Sequence, residues 1–190
     1  MVTVALGWKR LDWLPTETWR KNTLPKIEAL GIPEKELKRS VYVIRLNGNF
    51  CIKYPSGQSP AVYIGEGNLS QRLTSHRSWT SELTDLVGDF SFQVCISLPR
   101  VRNNTEVYLD AEAALLDRFA ARFGTAPLWN KQFEYRRTEY AYSQRALDEA
   151  LCKRSGAKYK WAIAPMKASP FYKRVVPSQI SPNTVFSKVR

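Results

Sequence analysis

Between residues 40 and 98 the chain sets out four apolar runs of strand length, SVYVIRL, FCIKY, AVYIG and FSFQVCISL, each bounded by turn chemistry. Their β-branched and aromatic residues suit a pleated, half-buried surface. In the last run Phe90, Phe92, Val94 and Ile96 alternate with Ser91, Gln93 and Cys95, the period of two that marks a sheet member with two different faces. Asn47-Gly48 is a strong two-residue hairpin signal, so SVYVIRL and FCIKY are expected to pair as a β-hairpin. PSGQSP, rich in turn formers, reads as a loop, and Gly65 and Gly67 at the end of AVYIG let the chain turn sharply.

Helical signals surround these runs. Asn68 can cap a helix through LSQRLTSHR, with a second short helix near SELTDLV. A helix is expected from about Thr105 to Phe123, stopped by Gly124, and a last one along TEYAYSQRALDEALCKRSG, ending at Gly156. The first 39 residues hold Trp8, Trp13 and Trp19, a helical turn over Pro25 to Leu30 ended by Gly31 and Pro33, and a charged EKELKR run. They read as an arm of short helices, with the tryptophans packed on the main body. The order hairpin, strand, helix, strand, helix, helix predicts an α+β fold, a small mostly antiparallel sheet flanked by helices, with N- and C-terminal extensions. Residues 1–39 form the N-terminal arm, 40–135 the core, and 136–190 a C-terminal helix and tail, all within one compact domain, which suits 190 residues.

The net charge of +12 is unevenly placed. Residues 41–150 hold 12 basic and 12 acidic side chains, whereas residues 151–190 hold 9 basic and none acidic. A polyanion would therefore be gripped by the ends of the chain. In AKYKWAIAPMKASPFYKR, Lys158, Lys160, Lys167, Lys173 and Arg174 are interleaved with Tyr159, Trp161, Phe171 and Tyr172, a mixture suited to phosphate contacts plus stacking. Trp161 is expected instead to pin the tail to the core. Arg100 and Arg102 in PRVRNN add a basic loop to the same nucleic-acid surface. Three separated cysteines, Cys51, Cys95 and Cys152, signal neither a disulfide framework nor a zinc cluster, and one histidine excludes a multi-histidine metal site. With no signal-peptide pattern and no apolar run near the roughly 18–20 residues a membrane span needs, the expected setting is cytoplasmic, in a bacterium, with no membrane partner.

Three fragments carry chemistry: SVY at 40–42, YIGEGNLSQRLTSH at 63–76, and EAALL with PLWN between 112 and 130. Arg72 and His76 stand at i and i+4 on a helix and share a face. Tyr42 and Tyr63 fall on strands that can turn both phenols toward one pocket. Glu112 opens an apolar stripe, Ala113, Leu115, Leu116 and Phe119, on a helix otherwise packed against the sheet. Phosphodiester hydrolysis needs an activated water and positive charge at the non-bridging oxygens, which an arginine and one divalent cation can supply.

The three fragments, over roughly residues 40–131, resemble the GIY-YIG nuclease superfamily, and EAALL…PLWN looks most like its restriction endonucleases. Serine stands at position 40 where the signature has glycine. The resemblance implies two signature tyrosines, Tyr42 and Tyr63, and an arginine, Arg72, that stabilises the pentacovalent phosphate. It implies a histidine at 76 that contacts the scissile phosphate or assists proton transfer, Glu112 as ligand of Mg²⁺ (or Mn²⁺), and Asn130 as the late asparagine. Glu106 is the fallback metal ligand. Tyr42, Tyr63 and His76 all stand as candidates for the base. The neighbouring Arg72 guanidinium is expected to keep His76 neutral near pH 7. The implied activity is cleavage of double-stranded DNA by a sequence-specific restriction enzyme, acting as a homodimer on a palindrome. Two other readings are a structure-specific or nicking nuclease of the same chemistry, and a nucleic-acid-binding module without catalysis.

Overall fold

A computed structural model describes residues 2–87, 90–130, 140–154 and 159–172, residues 85–87 by their backbone alone. The fold is α+β, as the apolar runs require. Its main sheet has the order β2-β7-β3-β6, formed by β2 (Lys9–Trp13), β3 (Ser40–Asn47), β6 (Ala61–Gly67) and β7 (Ser91–Ser97), and every neighbouring pair is antiparallel. β3 is buried along its whole length except Asn47, which explains its nearly continuous apolar sequence.

The expected pairing of β3 fails for a clear reason. SVYVIRL and FCIKY do not form a hairpin, because both edges of β3 are taken, one by β6 and the other by β7. The return strand β4 (Phe50–Tyr54) leaves the sheet and builds a second one of order β5-β4-β9, antiparallel to β5 (Gly57–Ser59) and parallel to β9 (Trp161–Ile163). PSGQSP is accordingly the turn and second strand of a β4–β5 hairpin. The N-terminal arm is not purely helical either. Its β1 (Thr3–Val4) pairs with β8 (Ala141–Tyr142), and β2 is an edge strand of the main sheet, with Trp13 opposite Phe92. Trp8 and Trp13 are buried, as packing residues should be, and the arm continues through α1 (Leu24–Ala29) and a 3-10 helix over Glu34–Arg39.

α2 (Leu69–Val87) is one helix rather than two. Leu69, Leu73, His76, Thr80 and Leu83 recur at steps of four and three and give it one buried face. Polar residues where the two expected helices meet bond back to the preceding turn: Thr80 Oγ1 donates to His76 O at 2.8 Å and Ser81 Oγ to Arg77 O at 2.8 Å. Asn68 caps as expected, its Oδ1 accepting from Ser70 N at 3.2 Å. α3 (Val107–Phe123) packs on β6 and β3 and ends at Gly124, in the left-handed region at φ 80°. The last helix, α4 (Gln144–Leu151), is shorter than its sequence suggested, because Ala141 and Tyr142 are drawn into the pairing with β1.

Arg45 explains how α4 is fixed. It is 1% exposed, and its guanidinium donates to the carbonyls of Glu149, Ala150 and Cys152 at 2.8–3.0 Å. A buried cation thus satisfies the carbonyls that a helix C-terminus leaves open and meets the negative end of its dipole. Among the described residues no helix is long and apolar enough to cross a membrane.

Candidate active site at the β3–β6 edge

Tyr42 on β3 and Tyr63 on β6 lie on one face of the sheet, because Tyr42 pairs with Gly65 and Ile44 with Tyr63. Their ring centroids are 6.0 Å apart. Between them runs Gly65, and its role is clearance rather than the sharp turn expected of it. A Cβ there would stand 2.5 Å from Tyr63 Cε1 and 2.6 Å from the Tyr42 hydroxyl oxygen, so only glycine lets both phenols converge. The turn into α2 is made by Gly67, at φ 93°. Ser40, at the signature's glycine position, keeps extended backbone, and its Oγ lies 3.2 Å from Leu37 O and 3.0 Å from Gly67 O. Its hydroxyl therefore tethers the start of β3 to that turn.

α2 brings Arg72 and His76 to the same phenols. His76 is buried, its Nε2 is 3.0 Å from the Tyr42 hydroxyl, and its ring centroid lies 4.3 Å from that of Tyr63. Burial, then the charge of Arg72, lowers its pKa to about 4, so the imidazole is neutral at pH 7. Burial is the larger cause, ahead of the guanidinium charge expected from the sequence. Arg72 is half-exposed, and its Nη2 meets Glu66 Oε1 at 3.3 Å. Burial alone would lower the Arg72 pKa, yet Tyr42, Tyr63, Glu66 and Glu112 outweigh it and raise it.

Glu112 completes the group from α3. It is 7% exposed, and its charge acts on Tyr42, Tyr63 and Arg72 alike. Tyr42 is pushed well above the usual phenol pKa by burial first and then by Tyr63, with Arg72 opposing and Glu112 adding to the rise. Tyr63 is raised by burial and then by Glu112. Five residues from four elements, β3, β6, α2 and α3, thus share one electrostatic neighbourhood. One buried carboxylate beside phenols and a cation is a donor set that suits Mg²⁺, which keeps most of its waters and takes one or two carboxylates together with substrate phosphate oxygens. Glu106, the fallback ligand, is exposed just before the first turn of α3.

Asn130 does something else. Its Oδ1 accepts from Ile64 N at 2.9 Å and its Nδ2 donates to Ile64 O at 2.7 Å, so the amide clamps β6 between Tyr63 and Gly65. It supports the site through the strand. Two residues absent from the sequence reading belong here. Glu66 holds Arg72, and Trp79, three residues after His76, donates its Nε1–H to His76 Nδ1 at 3.0 Å. The helical spacing i, i+3 was the available signal for Trp79.

The expected nucleic-acid contacts divide. Lys158, Lys173 and Arg174 lie outside the described residues. Lys160 and Lys167 are exposed, as are Arg100 and Arg102. Arg100 pairs with Glu36 at 2.6 Å and lines, with Lys35, Lys38 and Arg39, a groove of about 480 Å³. The groove also includes Tyr108, one turn before Glu112 on α3. The Trp161 side chain does not pin the tail, the residue being 69% exposed; the tail is held by the pairing of β9 with β4 and by Phe171, whose ring lies 4.7 Å from that of Trp129. Cys51, Cys95 and Cys152 are free thiols. No family model, no curated protein and no solved structure matches this chain.

Proposed function

We propose that the chain is a Mg²⁺-dependent (or Mn²⁺-dependent) endonuclease of GIY-YIG type that hydrolyses phosphodiester bonds in double-stranded DNA, most like a restriction enzyme working as a homodimer in the cytoplasm. The observation that carries this reading is the convergence of Tyr42, Tyr63, Arg72, His76 and Glu112 at one sheet edge, with four elements needed to assemble them. Water attacks phosphorus and gives its proton to a tyrosine phenolate as the bond to O3′ breaks; the departing 3′-oxyanion takes a proton from solvent, leaving a 5′-phosphate and a 3′-hydroxyl. Arg72 is half-exposed and so can face the negative charge that the non-bridging oxygens gain. Glu112 would hold the cation, which when bound supplies Lewis-acid stabilisation of that charge and lowers phenol and water pKa values. The raised phenol pKa values give both tyrosines strong basicity once deprotonated.

The experiment is plasmid cleavage in Mg²⁺ against EDTA, with Glu112→Gln as the second protein. Discrete cleavage that needs the cation and is lost in Glu112→Gln while DNA binding persists supports the reading. Binding without cleavage by either protein, across plasmids of diverse sequence, would leave a binding module in its place.

A further inference from the structure

His76 is the only histidine in the chain, and both of its ring nitrogens have partners. The indole N–H of Trp79 can only donate, so the Nδ1 it reaches at 3.0 Å must carry a lone pair. An imidazole at neutral pH cannot be bare at both nitrogens, so Nε2 carries the hydrogen, 3.0 Å from the Tyr42 oxygen. The indole is itself held. It stacks on Trp129 with centroids 4.6 Å apart and planes 23° apart, and Trp129 in turn meets Phe171. Rotating the Trp79 ring away from His76 would break that stack.

We propose that Trp79 is a positioning residue that locks His76 in the Nε2–H tautomer, making the histidine a hydrogen-bond donor to the Tyr42 oxygen rather than a proton acceptor. Of the three candidate bases, this removes His76 and leaves the tyrosines. A donor aimed at the Tyr42 oxygen favours the phenolate that must accept a proton from water, and it opposes the burial that disfavours that charge. The catalytic consequence rests on the hydrolytic reading, whereas the tautomer is a property of the folded chain alone.

The test is a long-range proton–nitrogen NMR correlation of the imidazole in the ¹⁵N-labelled full chain, where a single histidine leaves no assignment ambiguity. At pH 7 the wild type should show Nε2 protonated and Nδ1 bare. Tyr42→Phe should keep that pattern, because Trp79 sets it, and Trp79→Phe should shift population to the Nδ1–H tautomer. A wild-type spectrum of the Nδ1–H form or of imidazolium overturns the proposal. So does a tautomer that changes in Tyr42→Phe and not in Trp79→Phe. If Trp79→Phe does not fold, the wild-type and Tyr42→Phe spectra still decide. In plasmid cleavage, Trp79→Phe should cut about tenfold more slowly, with its shortfall varying with pH where a packing defect would give a constant one. A wild type that cuts nothing sinks the nuclease reading and leaves the tautomer result standing.

Discussion

Two arginines separate what is structural in this molecule from what is available for chemistry. Arg45, on β3, is 1% exposed and gives its guanidinium to three carbonyls at the end of α4. Arg72, on α2, has a half-exposed side chain and an ion pair with Glu66 at 3.3 Å, and its charge reaches two phenols and a buried carboxylate. A polar group with every bond made has nothing left for a ligand, whereas one held loosely beside like-minded neighbours does. Asn130, bonded at both ends of its amide to Ile64, is structural in the same sense as Arg45, whereas Glu112 acts through its charge on Arg72 and on both phenols.

The largest effects should come from exchanging the fates of the two arginines. Arg72→Ala should slow plasmid cleavage about 10³-fold. It should change stability by less than about 1 kcal/mol, because a half-exposed pair contributes little. Arg45→Met should do the reverse: losing the cation leaves three buried carbonyls without their donor, costing roughly 3–5 kcal/mol, with the cleavage rate per folded molecule near wild type. Denaturant melts beside cleavage assays check both. Equal destabilisation by the two substitutions would erase the distinction.

Acid should divide the regions next. The folded-state pKa of His76, about 4, lies below the ordinary value of 6.5, so the unfolded chain binds the extra proton first. Its contribution is complete above pH 6.5 and is lost as pH falls toward 4, up to about 3 kcal/mol. Asp148 behaves differently at the α3–α4 contact. A hydrogen bond from Arg118 lowers its pKa below the ordinary carboxylate value, so its contribution persists through that window and fails only at lower pH. Melting temperatures taken from pH 7.5 to 4.5 should fall for the wild type and stay flatter for His76→Asn. Parallel curves would mean that the imidazole is not buried as a neutral group.

Gly65→Ala probes the site's geometry in place of its charge. The added methyl meets both phenols at under 3 Å, so the rings must separate, and cleavage should drop about 10²-fold. Rate and melting temperature measured together show whether the sheet edge survives the change, and an unaltered rate would mean that the close approach of Tyr42 to Tyr63 is dispensable.

These sites differ in how visible they were in the sequence. The strands that form the sheet's interior were legible because burial on both faces writes long apolar runs, and α3 was legible because its apolar stripe ends at a glycine with φ 80°. Strand partners were not. KRLDW carries little intrinsic β preference and becomes β2 only because β7 offers it an edge, and FCIKY loses its expected partner because β6 claims that side of β3. In the site, the spacing of Arg72 and His76 showed a shared helical face, whereas the Trp79 bond, the Glu66 pair and the clearance at Gly65 depend on where rings and carboxylates end up across elements. Local spacing carries the first kind of information and only the assembled fold carries the second.

The smallest expected effect concerns Ser40, where the signature that the chain resembles has glycine. Ser40→Gly restores the signature's residue, but here the serine is buried, and its one hydroxyl hydrogen lies between Leu37 O and Gly67 O. Removing it should cost about 1 kcal/mol from the lost hydrogen bond, with a further loss of up to about 1 kcal/mol because glycine gains freedom in the unfolded chain. Because Gly67 makes the turn between β6 and α2, the loosened tether should act on the placement of Arg72 more than on Tyr42, which is fixed by pairing on both sides of β3. Cleavage should therefore fall only a few-fold. A rate that rises instead would show that serine holds the β3–β6 edge away from its best geometry.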